Sequence, residues 1–444
     1  MTRFLPLVLS AVLLSCAGDG DDLPPAGGDR APDGTDGTDG TDGTDGTDGT
    51  DGTDGTEPAP VTLSFDFDVQ LPEMPEGFLT TTGANWLLGA ADWDADGDRD
   101  LFAINNWTGE VLRFDQTSPR VFQPPVFVDL NPVDETVAAL AAAYSDTFSS
   151  DNISVVDVQT VALGPDGAEG LALQIQANRG SGWGGETFSP TVVLEPGPGL
   201  RFLDLAPSGG SQVLPDLDGD GADEVLLATL TGVAVAWGAN PARLEALDLG
   251  RWTGLRDRRQ GAAACVGEGE VLLLQAKEGS ADWEGWRLSV VPGAVSVLEH
   301  AEYARPLWWV TRAQPPTCTE GLVAIPELDP MWRFRDLTGA ELRTSEGEPL
   351  VGAQSWLVQL DGRDGHDLVQ EGTTTPVVGL DDGAGGLDVR ELVLPEQDGR
   401  TMVIVSERSG AVFTDLDGDG LADHVSQAST EDQIYLYLGW NTSR

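Results

Sequence analysis

The sequence predicts an all-β fold: a seven-bladed β-propeller closed by an N-terminal strand, with one short inserted helix. Three observations predict it. From Val61 onward the chain is a succession of short strand-like runs broken by Gly, Pro and Asp, with almost no helical periodicity. A unit of acidic or Gly-rich turn, apolar strand, Gly turn and second strand then recurs with a period of about 54 residues, the length of one propeller blade. Finally, the last unit ends one strand short, and a spare strand precedes the first.

That spare strand is VTLSFDFDV, Val61 to Val69, which has the alternation of a half-buried strand. The last unit stops at IYLYLGW, before the outer strand that a four-stranded blade needs. Pairing the two would remove an exposed edge and join the ends of the ring without a covalent bond.

Between them the anchors fall near residues 92, 163, 216, 265, 318, 359 and 415. Three are strong: DWDADGDRDLF from Asp92, DLDGDGADEVL from Asp216 and DLDGDGLADHV from Asp415. Four are weaker: LGPDGAEGLALQI near Leu163, CVGEGEVLLLQ from Cys265, CTEGLVAI from Cys318 and QLDGRDGHDLV from Gln359. The longest interval, between the first two anchors, contains NPVDETVAALAAAY. There Asn131 suits a helix cap, Pro132 the first helical position, and Asp134 and Glu135 the N-terminal end. One inserted helix accounts for the extra length.

The strong loops set carboxylates on alternate residues around a glycine, and calcium needs about six to eight oxygen ligands converging on one point. In the first loop Asp92, Asp94, Asp96 and Asp100 would offer side-chain oxygens and Asp98 its carbonyl, with Gly97 making the turn. The middle loop offers Asp216, Asp218, Asp220 and Glu224 around Gly221, with the Ala222 carbonyl and with Asp223 as a substitute for Glu224. The last offers Asp415, Asp417, Asp419 and Asp423 around Gly420, with the Leu421 carbonyl. An EF-hand needs a carboxylate at loop position twelve, where these loops carry Ala103, Leu227 and Ser426, so the helix-loop-helix alternative is excluded. Asp-Gly turns also form without ions. Four clustered carboxylates would nevertheless repel each other strongly without a cation, which favours about three structural Ca2+ sites.

With their flanks, GAADWDADGDRDLFAINNWTGEVLRF from Gly89 and VFTDLDGDGLADHV from Val412, the loops resemble the FG-GAP repeats of integrin alpha-subunit propellers and of bacterial VCBS-type proteins. The resemblance spans Val61 to Arg444, close at three loops and loose at four. It implies that the acidic loops bind calcium at blade edges and hold adjacent strands in register. The Gln359 loop departs from the pattern, because its first carboxylate is an amide and Arg363 occupies a ligand position, where its charge could replace an ion. The copies at Leu163, Cys265 and Cys318 lack the ligands.

Ahead of the repeats, residues 1–16 read as an export signal: Arg3, an apolar run from Phe4 to Leu14 too short to span a bilayer, and LLSC, which is similar to a bacterial lipobox with Cys16 as the lipidated residue. Residues 17–60 include eight DGT repeats from Asp33 to Thr56. With nothing apolar to bury, this segment is expected to be a disordered tether. The sequence thus places 61–444, the propeller, on a lipid anchor in the bacterial cell envelope, as an outer-membrane or cell-surface lipoprotein. Cys265 and Cys318 remain as a possible disulfide in a compartment that permits one.

The formal net charge of −50 argues against nucleic acid and against bare anionic membrane, leaving the lipid as the only membrane contact. No His pair has zinc spacing, and no GxSxG, HExxH or phosphate-loop motif occurs. GSGWGG at Gly180 precedes the strand-like ETFSPTVVL rather than a helix, so it reads as a hairpin loop. Trp183, Trp308 and Trp309 are the tryptophans best placed to stack on a sugar or anchor a protein, although most of the thirteen suit packing between blades. The leading expectation is a non-catalytic binding or adhesion module for a glycan or surface protein. The alternatives are a secreted propeller enzyme acting on polysaccharide, a lyase or glycosidase, and a structural part of a cell-surface assembly.

Overall fold

The computed structural model describes residues 63–70, 73, 86–105, 110–128, 153–178, 187–188, 190–196, 200–202, 211–229, 232–240, 242–249, 261–267, 269–276, 283–303, 325–328, 332–335, 343, 355–363, 367–370, 377–381, 387–391, 395–397, 400–401, 412–429 and 434–443. All lie within the unit Pro60–Arg444. The signal segment with Cys16, the Asp-Gly-Thr tether, the helix expected at 131–144, Gly180, Trp183, Trp308, Trp309 and Cys318 lie outside them, as does the side chain of Cys265.

The described chain is a β-propeller built from small antiparallel meanders. In chain order, the Trp86 sheet comprises Trp86–Ala91, Asp100–Asn105, Val111–Phe114 and Val126–Val128. The Ile153 sheet comprises Ile153–Ala162, Glu169–Asn178, Thr191–Leu194 and Leu200–Phe202, with Thr187–Phe188 alongside. Next come the Ser211 sheet, of Ser211–Leu214, Glu224–Ala228, Gly232–Ala236 and Leu244–Asp248, and the Gly261 sheet, of Gly261–Gly267, Glu270–Ala276, Trp283–Val291 and Ala294–Tyr303. A pair of strands, Ile325–Leu328 and Trp332–Arg335, falls in the interval of the Cys318 anchor. The Ser355 sheet follows, of Ser355–Val358, Asp367–Gln370, Val377–Asp381 and Leu387–Glu391.

The Val412 sheet closes the ring. It runs Val412–Thr414, Asp423–Ser429 and Ile434–Asn441, and its fourth strand is Phe65–Gln70 from the other end of the chain. That strand pairs antiparallel along its whole length, from Phe65 opposite Asn441 to Gln70 opposite Leu436. The spare strand therefore takes the outermost place in the last sheet, as its alternation predicted.

Face-to-face stacking explains the uninterrupted apolar runs in the central strands. Along Asp100–Asn105 every residue is buried, and successive side chains serve different cores. Phe102 and Ile104 pack with Leu171, Leu173 and Val192 of the Ile153 sheet, whereas Leu101 and Ala103 pack with Leu416, Leu436 and Trp440 of the Val412 sheet. The same division continues around the ring, where Val225 and Leu227 face the Ile153 sheet and Leu226 faces Val271 and Leu273 of the Gly261 sheet. Val369 and Leu380 of the Ser355 sheet meet Phe65 and Phe413 of the Val412 sheet. Outer strands bury one side only, so Leu244–Asp248 alternates between exposed and half-buried residues. Packing of the first sheet against the last makes this a ring rather than an open stack.

Candidate functional site

Each strong loop connects the innermost and second strands of its sheet, and the backbone folds the same way in all three. The first carboxylate acts as the hub. Asp92 accepts hydrogen bonds from the backbone N–H groups of Asp96 and Gly97, both at 3.1 Å. Asp216 accepts from Gly219, Asp220 and Gly221 at 2.7, 3.1 and 2.9 Å. Asp415 accepts from Gly418, Asp419 and Gly420 at 2.8, 3.1 and 2.9 Å. Curling the backbone toward one side chain forces left-handed conformations at positions four and six. Position six is Gly97, Gly221 and Gly420, with φ of +96°, +87° and +88°, while position four is Gly219, Gly418 and, in the first loop, Ala95 with φ of +59°.

Carboxylate oxygens converge within 4.8 Å of one another in three trios: Asp92, Asp94 and Asp96; Asp216, Asp218 and Glu224; and Asp415, Asp417 and Asp423. Of the remaining expected ligands, Asp220 and Asp419 each accept a bond from the N–H two residues on, of Ala222 and of Leu421, at 3.0 and 2.9 Å. The N–H of Asp98 donates to Asp96 at 3.0 Å. Glu224, rather than Asp223, joins the middle trio. Asp223 faces the neighbouring sheet, where its side chain accepts from the Ala162 N–H at 2.7 Å and its own N–H donates to the Ala162 carbonyl at 3.0 Å.

The carboxylate at position nine is buried in every loop, and it ties the loop to the end of the third strand. Asp100 accepts from the Gln116 N–H at 2.8 Å. Asp423 accepts from Leu416 and Asn441 at 2.9 and 2.8 Å, and Glu224 accepts from Leu217 at 2.7 Å and Gly238 at 3.4 Å. Burial raises all three carboxyls, to about 7 from their ordinary values. The Gln359 loop shares this frame: the Gln359 amide oxygen accepts from Asp361 and Gly362 at 3.3 and 3.0 Å, and buried Asp367 accepts from Leu360 at 2.8 Å. Arg363 sits 3.7 Å from Asp361, where its charge was expected to stand in for an ion.

The loops also join neighbouring sheets. The Asp92 N–H donates to Glu169 of the Ile153 sheet at 2.9 Å, and the Glu169 N–H returns a bond to the Asp92 carbonyl at 2.9 Å. Arg99 pairs with the same Glu169 at 2.9 Å and reaches Thr414 of the Val412 sheet. The Ala422 N–H donates to the Gln359 carbonyl at 2.8 Å. Sequence reasoning missed Glu169, Gln116, Arg120, Arg243 and Asn441, which lie outside the loops at no fixed spacing from them, and it missed Arg99, which lies within the first loop but whose partners Glu169 and Thr414 belong to other sheets. It could have found Asp367, eight residues after Gln359 as Asp423 is after Asp415.

These acidic clusters could hold a metal ion, and their donor set is oxygen throughout. No known family and no curated protein matches the chain. Solved structures similar to it are β-propeller-like. They include BBS1N in complex with ARL6DN, at 12% identity over 83% of this chain and 96% of that one, with a TM-score of 0.44. Two others are a rhamnogalacturonan lyase of Bacillus licheniformis, at 12% identity over 84% and 75% with a TM-score of 0.43, and an alpha-L-arabinanase of Penicillium chrysogenum complexed with arabinobiose, at 11% identity over 86% and 98% with a TM-score of 0.38. Likenesses this distant assign no activity.

Proposed function

We propose that the chain is a calcium-stabilised binding or adhesion module of the FG-GAP type, seven-bladed, displayed at a bacterial cell surface from a lipid on Cys16 through the Asp-Gly-Thr tether. One observation carries the calcium reading: an oxygen-only trio forms in each of the three acidic loops, at positions one, three and nine in the Asp216 and Asp415 loops and at one, three and five in the Asp92 loop, where Asp100 stands outside the trio. Hard oxygen donors at this density suit calcium rather than a nitrogen- or sulfur-seeking metal. A cation there would relieve the repulsion within each trio and so strengthen the bonds that run from loop to neighbouring sheet. Its role is structural, and the ligand-binding surface is carried by the ring that it stiffens.

The partner is a glycan or a surface protein, since so acidic a surface disfavours nucleic acid. The test is to unfold the full chain thermally with and without calcium, then to screen it against glycans and surface proteins while monitoring polysaccharides for released product. Calcium-dependent stability with saturable, product-free binding is expected. An unchanged melting temperature in chelator would overturn the calcium reading, and turnover of a polysaccharide would overturn the non-catalytic one.

A further inference from the structure

The four loops of this frame differ at position three. Asp218, Asp361 and Asp417 each meet an arginine, and the three arginines come from unrelated places in the chain. Arg243 follows the third strand of the Ser211 sheet and bridges Asp218 and Asp220, the latter at 2.9 Å. Arg363 belongs to its own loop. Arg120 stands at the turn of the short hairpin Gln116–Ser118 and Val121–Phe122, which lies in the chain between the third and fourth strands of the neighbouring Trp86 sheet, and its Nε donates to Asp417 Oδ2 while Nη2 pairs with the same oxygen, both at 2.8 Å. Among the described residues no arginine pairs with Asp94, because the nearby Arg99 and Arg113 are engaged by Glu169 and Asp115.

We propose that Arg243 and Arg120 are resident counter-cations that grade the cation affinity of the three sites. The Asp92 loop fills first, and the Asp216 and Asp415 loops take an ion only in exchange for a guanidinium. This rests on the calcium reading above and adds an order of filling to it. A guanidinium on a position-three carboxylate already offsets the repulsion within its cluster, so a metal ion entering there gains less than one entering an unneutralised trio.

The Asp415 loop shows that the exchange is only partly satisfied by arginine. The Asp417 side chain is 8% exposed, with Oδ2 held by Arg120. Its Oδ1 is buried without a hydrogen-bond partner, in the same trio as Asp415 and Asp423. A buried carboxylate oxygen left unpaired is costly, and a cation bound by the trio would supply what the guanidinium leaves unmet. Arg120 has other partners to move to, with Asp66 at 3.5 Å and the Trp440 ring centroid at 5.1 Å. Arg243, about half exposed, can return to water. In the Gln359 loop positions one and five are an amide and Arg363 itself, so although Asp361 Oδ2 is also buried without a hydrogen-bond partner, too few carboxylates remain there, and among the described residues no trio forms.

The test is a calorimetric calcium titration of the full chain, comparing wild type with Arg243→Gln, Arg120→Gln and Asp94→Asn. In wild type one ion should bind tightly and two more weakly. Arg243→Gln should tighten one of the weaker ions by about three- to tenfold, with Arg120→Gln doing the same for the other, and Asp94→Asn should remove the tight one. Should Arg120→Gln loosen the ring, Arg243→Gln still decides, since it lies at an exposed loop. Three ions of equal affinity, or weaker ions indifferent to both arginine substitutions, would overturn the proposal while leaving calcium binding intact. Absence of bound calcium in every protein would sink the calcium reading itself, and this proposal with it.

Discussion

Replacing Gly221 with alanine should destabilise the fold far more than the same change at Gly97 or Gly420, although all three occupy one loop position. A side chain forced into the left-handed region costs about 1–2 kcal/mol, partly offset by the lower entropy of the unfolded chain, so about 1 kcal/mol is expected from the backbone alone. At Gly97 and Gly420 a Cβ meets nothing within 4 Å, and that backbone cost is the whole effect. At Gly221 the Cβ would stand 2.7 Å from Pro165 Cα, 2.8 Å from its N and 2.9 Å from its Cβ. Overpacking against backbone that cannot rotate aside adds about 1–3 kcal/mol, for a total of about 2–4 kcal/mol. Urea unfolding followed by tryptophan fluorescence, in metal-free buffer so that ion binding does not enter, would measure the three variants side by side. If Gly221→Ala proves no worse than Gly97→Ala, the Leu163 turn is not seated on the acidic loop, and the linkage between those two sheets is wrong. Ala95→Gly is the converse test, expected to be neutral or to stabilise by up to about 1 kcal/mol, because its φ of +59° matches the glycines at the same position in the other loops.

Two further outcomes follow from buried ionisable groups. Asp100, Glu224 and Asp423, raised to about 7, hold protons in the folded metal-free chain that the unfolded chain has already released. Metal-free stability should therefore fall as pH rises from about 4 to about 7, and the increment from added calcium should be larger at pH 7.5 than at pH 5, as unfolding curves across that range would show. His424 occupies the position held by Leu101, Val225 and Leu368 in the other loops, is fully buried against Phe413, and has neither ring nitrogen hydrogen-bonded. Burial lowers its pKa to about 3, so its unfavourable contribution grows as pH falls below about 6.5, where the unfolded chain takes up a proton. His424→Leu should stabilise by about 1–3 kcal/mol at neutral pH and more in acid, and a loss of stability would refute the reading of an unmet polar group.

Much of the frame was legible because it is local. The spacing of Asp92, Asp94, Asp96 and Gly97 encodes a turn whether or not anything packs on it, since each side-chain oxygen captures an N–H only a few residues on. Leu101 to Ile104 could be read as a strand buried on both faces, although not which neighbour each face would meet. The missing outer strand and the spare one were visible as a mismatch between the two ends of the repeat. By contrast, Asp223 and Glu224 are adjacent acids of which spacing favoured Glu224 but left Asp223 as a substitute. They point to opposite faces of the strand, and the position of the Ile153 sheet sends one to Ala162 and the other to the trio.

The sequence by itself determined the repeat, the acidic turns and the strand that closes the ring, because each depends on residues a few positions apart or on the alternation of a single strand. Only the tertiary structure decided which carboxylates share a point in space, and which of those points already hold a positive charge. Arg120 reaches Asp417 across nearly three hundred residues of chain, and nothing short of sheets stacked in a ring brings the two together.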